Sequence, residues 1–83
     1  MWHDDYNYMM KNKKGERCLF AVLPERNMEQ VRIFDESWPQ KDDILHIHDA
    51  RKEWNAKVEN GWEPFSHNWR DTQEVMINVT NNC

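Results

Sequence analysis

Apolar and polar positions along this 83-residue chain fall into short segments with different periods. Cys18 to Leu23 is an unbroken apolar run of strand length, and Met28 to Phe34 alternates, with Val31 and Ile33 separated by Arg32. Between them, Pro24-Glu25-Arg26-Asn27 supplies turn chemistry, because Pro fixes φ and Asn tolerates the left-handed region. Two strands joined by a short polar turn predict a hairpin. The loop that follows, DESWPQKDD, contains Pro39, which blocks further ladder pairing at that point.

Ile44 to His48 fits two periods. It reads as the first turns of a helix, or as a short strand with Leu45 and Ile47 inward and His46 and His48 outward. The preferred reading is a strand followed by a helix from about Ile47 or His48 to Asn60. Asp49 then sits in the first turn, where the helix dipole favours an acid, and Glu53 and Lys57 form an i,i+4 pair. Gly61 occupies the position where left-handed geometry ends a helix, and Trp62 folds back on the last turn. The stripe Ile47, Ala50, Trp54, Val58 is one face wide, which lays the helix on a sheet and makes Trp54 the centre of the core.

Beyond the helix, EPFSHNWRD reads as a connection, and Glu74 to Thr80 alternates with Val75, Ile77 and Val79 on one side. That pattern predicts a final half-buried strand. Residues 1–15 have no sustained period and read as an N-terminal arm, whose Trp2, Tyr6, Tyr8, Met9 and Met10 dock on the domain or on a second chain. The expected organisation is an arm over 1–15 and one small domain over 16–83. Its fold class is α+β: an antiparallel sheet of three to four strands (hairpin, short strand, C-terminal strand) with one helix packed on one face.

Composition narrows the function. Hydrophobic residues are 39% of the chain and charged residues 31%, polar for a globular protein but with the apolar positions concentrated enough for a core. Five tryptophans allow that core to be small, since each aromatic buries a large area. The net charge of −4 argues against a general nucleic-acid binder, whose affinity comes largely from phosphate neutralisation. The first residues, MWHDDYNYMMKNKKGE, are acidic and polar and carry no apolar signal region. No stretch approaches the roughly 18 apolar residues of a membrane span. The expectation is a cytoplasmic protein with no membrane contact and with Cys18 and Cys83 as thiols. In that compartment the sequon Asn78-Val79-Thr80 has no meaning.

Three segments, VRIFDESW at 31–38, ARKEWNAKVENGW at 50–62 and GWEPFSHNWR at 61–70, are similar to a family of short uncharacterised proteins of marine unicellular cyanobacteria and their phages. That family has a leading Val-Arg-x-Phe strand, a Trp a few residues on, an Ala-Arg-x-x-Trp helix and a closing Gly-Trp with a further Trp. The likeness covers about residues 19–70, and the chain departs from the pattern in its Tyr/Met-rich N-terminal arm and its extra C-terminal strand. The resemblance implies an origin and a fold type. It brings no activity.

Candidate chemistry is sparse. His46 and His48 are alternate residues, so on a strand both imidazoles share a face and can reach one metal ion. A structural zinc site needs about four ligands and a catalytic one about three. Asp43, Asp49, His67 and His3 are the available partners, and none is fixed by spacing, so no metal or cofactor is expected. Two glycines leave no room for a phosphate-cradling loop, Ser37 and Ser66 lack a nucleophile elbow, and Cys18 lies inside an apolar strand. An enzyme is not expected.

Exposed Trp and Tyr are favoured interface anchors. The preferred reading is a non-enzymatic interaction module of unknown protein partner, expected to form a homodimer, with Trp38, Phe65, Trp69 and Trp2 on the contact surface. The alternative is a weak single-strand nucleic-acid binder that stacks bases on those rings beside Arg51, Lys52 and Arg70.

Overall fold

The structure, a computed structural model, describes residues 7–24, 27, 29–41 and 43–81. Chain order is β1 (Asn7–Lys11), β2 (Arg17–Val22), β3 (Gln30–Asp35), β4 (Asp43–His46), α1 (Ile47–Glu59), β5 (Glu63–Phe65) and α2 (Trp69–Asn81). The strands form one five-stranded sheet in the order β4-β3-β2-β1-β5, with every neighbouring pair antiparallel. The α+β class therefore stands, with more strands than three to four and a second helix.

The predicted hairpin is β2 and β3, in register from Cys18 opposite Asp35 to Val22 opposite Val31. Asn27 sits in its turn at a φ of 56°, in the left-handed region. Strand then helix is also what Asp43 to Glu59 does. The helix ends as its sequence dictates: Gly61 has a φ of 98°, its N–H donates to the Val58 carbonyl at 3.1 Å, and the Trp62 N–H donates to the Lys57 carbonyl at 3.0 Å. Those two bonds are a Schellman cap.

Three readings are corrected. Glu74–Thr80 is not a strand but the body of α2. Val75 and Val79 are buried under either period, but the helix adds Thr72 and leaves Ile77 56% exposed. The helix also has a reciprocal start, with the Asp71 N–H donating to Asn68 Oδ1 at 2.9 Å and the Asn68 N–H directed at Asp71 Oδ2 at 3.4 Å. Such a capping box satisfies two terminal donors at once. The second correction is the arm over 1–15: Asn7–Lys11 is an inner strand, paired with β2 on one side and β5 on the other. The chain passes from it to β2 through a tight turn in which Asn12 Oδ1 accepts from the Lys14 and Glu16 N–H groups and Gly15 has a φ of 85°.

The third concerns the helix stripe. Ala50 is fully buried, and Ile47 and Trp54 pack against the core, but Val58 is 41% exposed. Lys57 takes the sheet-facing position instead, its ammonium 2.7 Å from Asp35 Oδ2, so it makes no pair with Glu53. Glu53 meets Lys41 at 3.6 Å. The centre of this layer is Phe20, with Trp54 laid edge-on against it at 5.1 Å between ring centroids.

Each face of the sheet carries a helix. Cys18, Phe20 and Val22 point with Met10 toward α1, while Leu19 and Ala21 point with Met9 toward Val75 and Val79 of α2. A strand covered on both faces reads as a continuous apolar run, which is why β2 shows no alternation.

Candidate functional site

The aromatic residues singled out in the sequence separate into two places. Phe65 and Trp69 lie together on a groove of about 420 Å3 that crosses the end of β1 and β5. Tyr8 and Trp54 reach it from the α1 side and Met9 and Thr72 from the α2 side. Tyr8 and Trp54 meet edge-to-face at 6.3 Å, as do Phe65 and His67. The Lys11 ammonium stands 5.3 Å from the Phe65 ring centroid, within cation–π range.

Trp69 is placed there by helix geometry. It precedes Thr72 by one turn on the buried stripe of α2 that continues to Val75 and Val79, yet it is 65% exposed. The stripe runs past the sheet, so its first residue overhangs the groove rather than the core. The polar side chains along the groove are uncharged hydrogen-bonding groups: Asn7, Ser66, Asn68 and Thr72, with His67. Neutral polar groups between aromatic rings suit apolar and amide-bearing groups more than phosphates.

Trp38 is elsewhere. It lies in the turn after β3, where its N–H donates to the Asp35 carbonyl at 3.1 Å and the Lys41 ammonium stands 5.0 Å from its ring centroid. That turn joins β3 to the edge strand β4, whereas the groove is at β5, on the opposite edge. Trp2 and His3 fall outside the described residues, as does Cys83. Arg51, Lys52 and Arg70 are exposed. Tyr8 and Asn7 were missed as groove residues; the signal for the Trp69 placement was the Asn68-x-x-Asp71 start of a helix inside the apparent connection.

His46 and His48 stack at 5.0 Å between ring centroids with 24° between planes. Their relation is a cap: His46 precedes α1 and its Nδ1 accepts from the His48 N–H at 3.3 Å. Among the described residues no group of three His, Cys, Asp or Glu stands where it would hold a metal ion.

The other polar constellations tie layers together. Asp35, 2% exposed, accepts from the Ser37 N–H at 2.9 Å, from Ser37 Oγ at 2.5 Å and from Lys57. Glu36 accepts from the Arg17 N–H at 2.7 Å, from Arg17 Nε and Nη2 at 3.0 Å each and from Asn78 Nδ2 at 2.9 Å. Arg17 also bonds Glu74 at 3.0 Å, so β2, the β3 turn and α2 are clamped at one point. Burial pushes the Glu36 carboxyl up, but these donors outweigh it and hold the group below its usual value. Burial, aided by the charge of Asp35, raises the Cys18 thiol far above its ordinary value, so it stays protonated and unreactive.

No protein-family profile, no curated protein and no solved structure matches this chain. Among the described residues no helix is long and apolar enough to cross a membrane.

Proposed function

We propose that this chain is a small non-enzymatic interaction module that presents the groove of Phe65 and Trp69 to a protein partner. The carrying observation is Trp69, a large ring left 65% exposed above a groove with Phe65 and Trp54 in its walls. Partner surfaces with an apolar or aromatic anchor and backbone amides fit this mixture of rings and neutral polar groups. The module works in the cytoplasm and as a homodimer, and its origin lies in the cyanobacterial and phage family whose motifs it resembles.

Peptide-display selection on the parent and on a Phe65→Ala/Trp69→Ala variant tests the reading. Enriched peptides should carry aromatic or large aliphatic anchors and lose about 2 kcal/mol or more of binding on the variant, the scale of interface hot spots. Peptides that bind both proteins equally would refute the groove as the contact surface.

Lys11 beside Phe65 favours one second reading, base stacking by a single strand next to a cation. Salt separates the two, because phosphate contacts make affinity fall steeply with ionic strength and apolar contacts do not. Oligothymidine binding that is measurable and salt-steep, with no peptide selected, would move the assignment to nucleic acid.

A further inference from the structure

The two edges of the sheet are chemically unlike. On β5 the inner partners are Glu63 and Phe65, opposite Lys11 and Met9, so Pro64 faces outward. Proline has no N–H, so that edge offers a second strand little to bond, a common way of blunting an edge. On β4 the outward residue keeps its amide. The Ile47 N–H donates to the Glu29 carbonyl at 2.8 Å, which sets Leu45 and Asp43 toward β3 and turns the backbone of Ile44 and His46 outward. Ile44 thus directs both its N–H and its C=O away from the sheet. Its side chain is 49% exposed, on the face opposite Leu45.

We infer that β4 pairs with β4 of a second copy, antiparallel, around a two-fold axis that passes between the two Ile44 residues. This rests on the homodimer part of the reading above and says which surface makes it. A two-fold perpendicular to the sheet keeps like faces together, so it sets Ile44 opposite Ile44 or Leu45 opposite Leu45. Only the first lets Ile44 exchange both of its outward groups with its own copy. The second would draw on the His46 carbonyl, which belongs to the cap of α1. The first register also brings the two exposed Ile44 side chains together on one face.

The other face supplies the charge match. A groove of about 360 Å3 runs between Leu45 and the outer flank of α1, bordered by Asp49, Lys52, Glu53 and Ala56. The two-fold brings this flank against itself in antiparallel sense. Acids at Asp49 and Glu53 then meet the base at Lys52 of the other copy, and Leu45 and Ala56 supply apolar contact between them. A self-complementary patch is what an isologous dimer requires. The product is a continuous ten-stranded sheet, twice the five strands of one copy, with both Pro64 edges at its ends and both Trp69 grooves left open.

Sedimentation equilibrium of the full chain at high micromolar concentration, beside Ile44→Lys and Ile77→Lys, provides the test. Ile77 is as exposed but lies on α2 and not on the pairing strand. The parent and Ile77→Lys should show the dimer mass and Ile44→Lys the monomer mass. Hydrogen exchange on the unmodified parent needs no variant: the Ile44 amide should slow by about tenfold or more from dilute to concentrated protein as its N–H becomes bonded. A dimeric Ile44→Lys, or an Ile44 amide that exchanges equally fast at both concentrations in a dimeric parent, overturns the β4 interface and leaves self-association standing. A monomeric parent overturns the homodimer and the interface together, and the peptide-binding test of the groove is unaffected.

Discussion

Lys57→Met removes the cation from a buried pair and leaves the rest of α1 intact. Asp35 is the more deeply placed partner, with 2% of its side chain exposed against 16% for Lys57. Its Oδ1 accepts from Ser37, and its Oδ2 accepts from the Lys57 ammonium at 2.7 Å. Without that ammonium the buried Asp35 carboxylate loses its ion-pair partner. Breaking a buried pair from one side costs about 3–5 kcal/mol. The partial exposure of Lys57 puts the expectation at the lower end, about 3 kcal/mol, and the lost contact with the Trp62 ring at 4.4 Å belongs to the same loss.

For a domain of 83 residues, total stability is on the order of 4–12 kcal/mol, so this one change removes a large share. The melting temperature should fall by roughly 12–24 °C, at about 4–8 °C per kcal/mol for a small domain. Urea unfolding followed by tryptophan fluorescence measures it. Asp35→Asn/Lys57→Met should recover at least half of the loss, because the amide oxygen still accepts from Ser37 and no charge is buried. A single variant that loses under about 1 kcal/mol, or a double variant no more stable than the single, would refute the account of Asp35 as a buried charge that depends on Lys57.

Other substitutions probe the remaining joints. Gly61→Val should cost about 1–2 kcal/mol, the penalty of a left-handed residue with a Cβ, and clearly more than Asn60→Ala; a Cβ at Gly61 meets nothing within 4 Å, so the loss would be purely backbone strain. Trp54→Ala should cost about 3 kcal/mol, the lower end for an aromatic truncation because one side of the ring faces the groove; a melting temperature within a few degrees of the parent would refute the placement. Glu36, with its carboxyl held below 4.5 when folded, contributes stability that is present above the unfolded value and lost as pH falls through the folded one. Glu36→Gln should therefore be less stable than the parent at neutral pH and show a shallower decline below about pH 4.5 in denaturant titrations, and parallel acid limbs would count against the Arg17 clamp.

How much of this was legible depended on whether a local signal had one physical meaning. The end of α1 did, because a glycine followed by a large apolar residue after a helical stripe satisfies the last carbonyls in few ways, and Gly61 and Trp62 make the expected bonds. β1 carried no such signal. Met9 and Met10 are adjacent and both buried because the strand is covered on both faces, so no alternation marks NYMMK as a strand. α2 carried an ambiguous one. Val75 and Val79 are four apart, a spacing that serves both a period of two and a helical face, and Ile77 breaks the tie only once its exposure is known.

The groove shows why exposed aromatics could be counted in the sequence but not grouped. Trp38 and Trp69 are both exposed rings beside turns, and nothing in their neighbours distinguishes them. Their separation follows from sheet order. β1 enters between β2 and β5, which carries Phe65 and the start of α2 to one edge, while the β3 turn with Trp38 stays beside β4 at the other. The same order leaves Pro64 on one outer edge and Ile44 on the other, so the partner groove and the pairing edge lie on opposite sides of the sheet. A second copy on β4 therefore leaves Trp69 accessible. Dimerisation and partner binding would then be independent, and peptide affinity for the Trp69 groove should be the same for Ile44→Lys as for the parent.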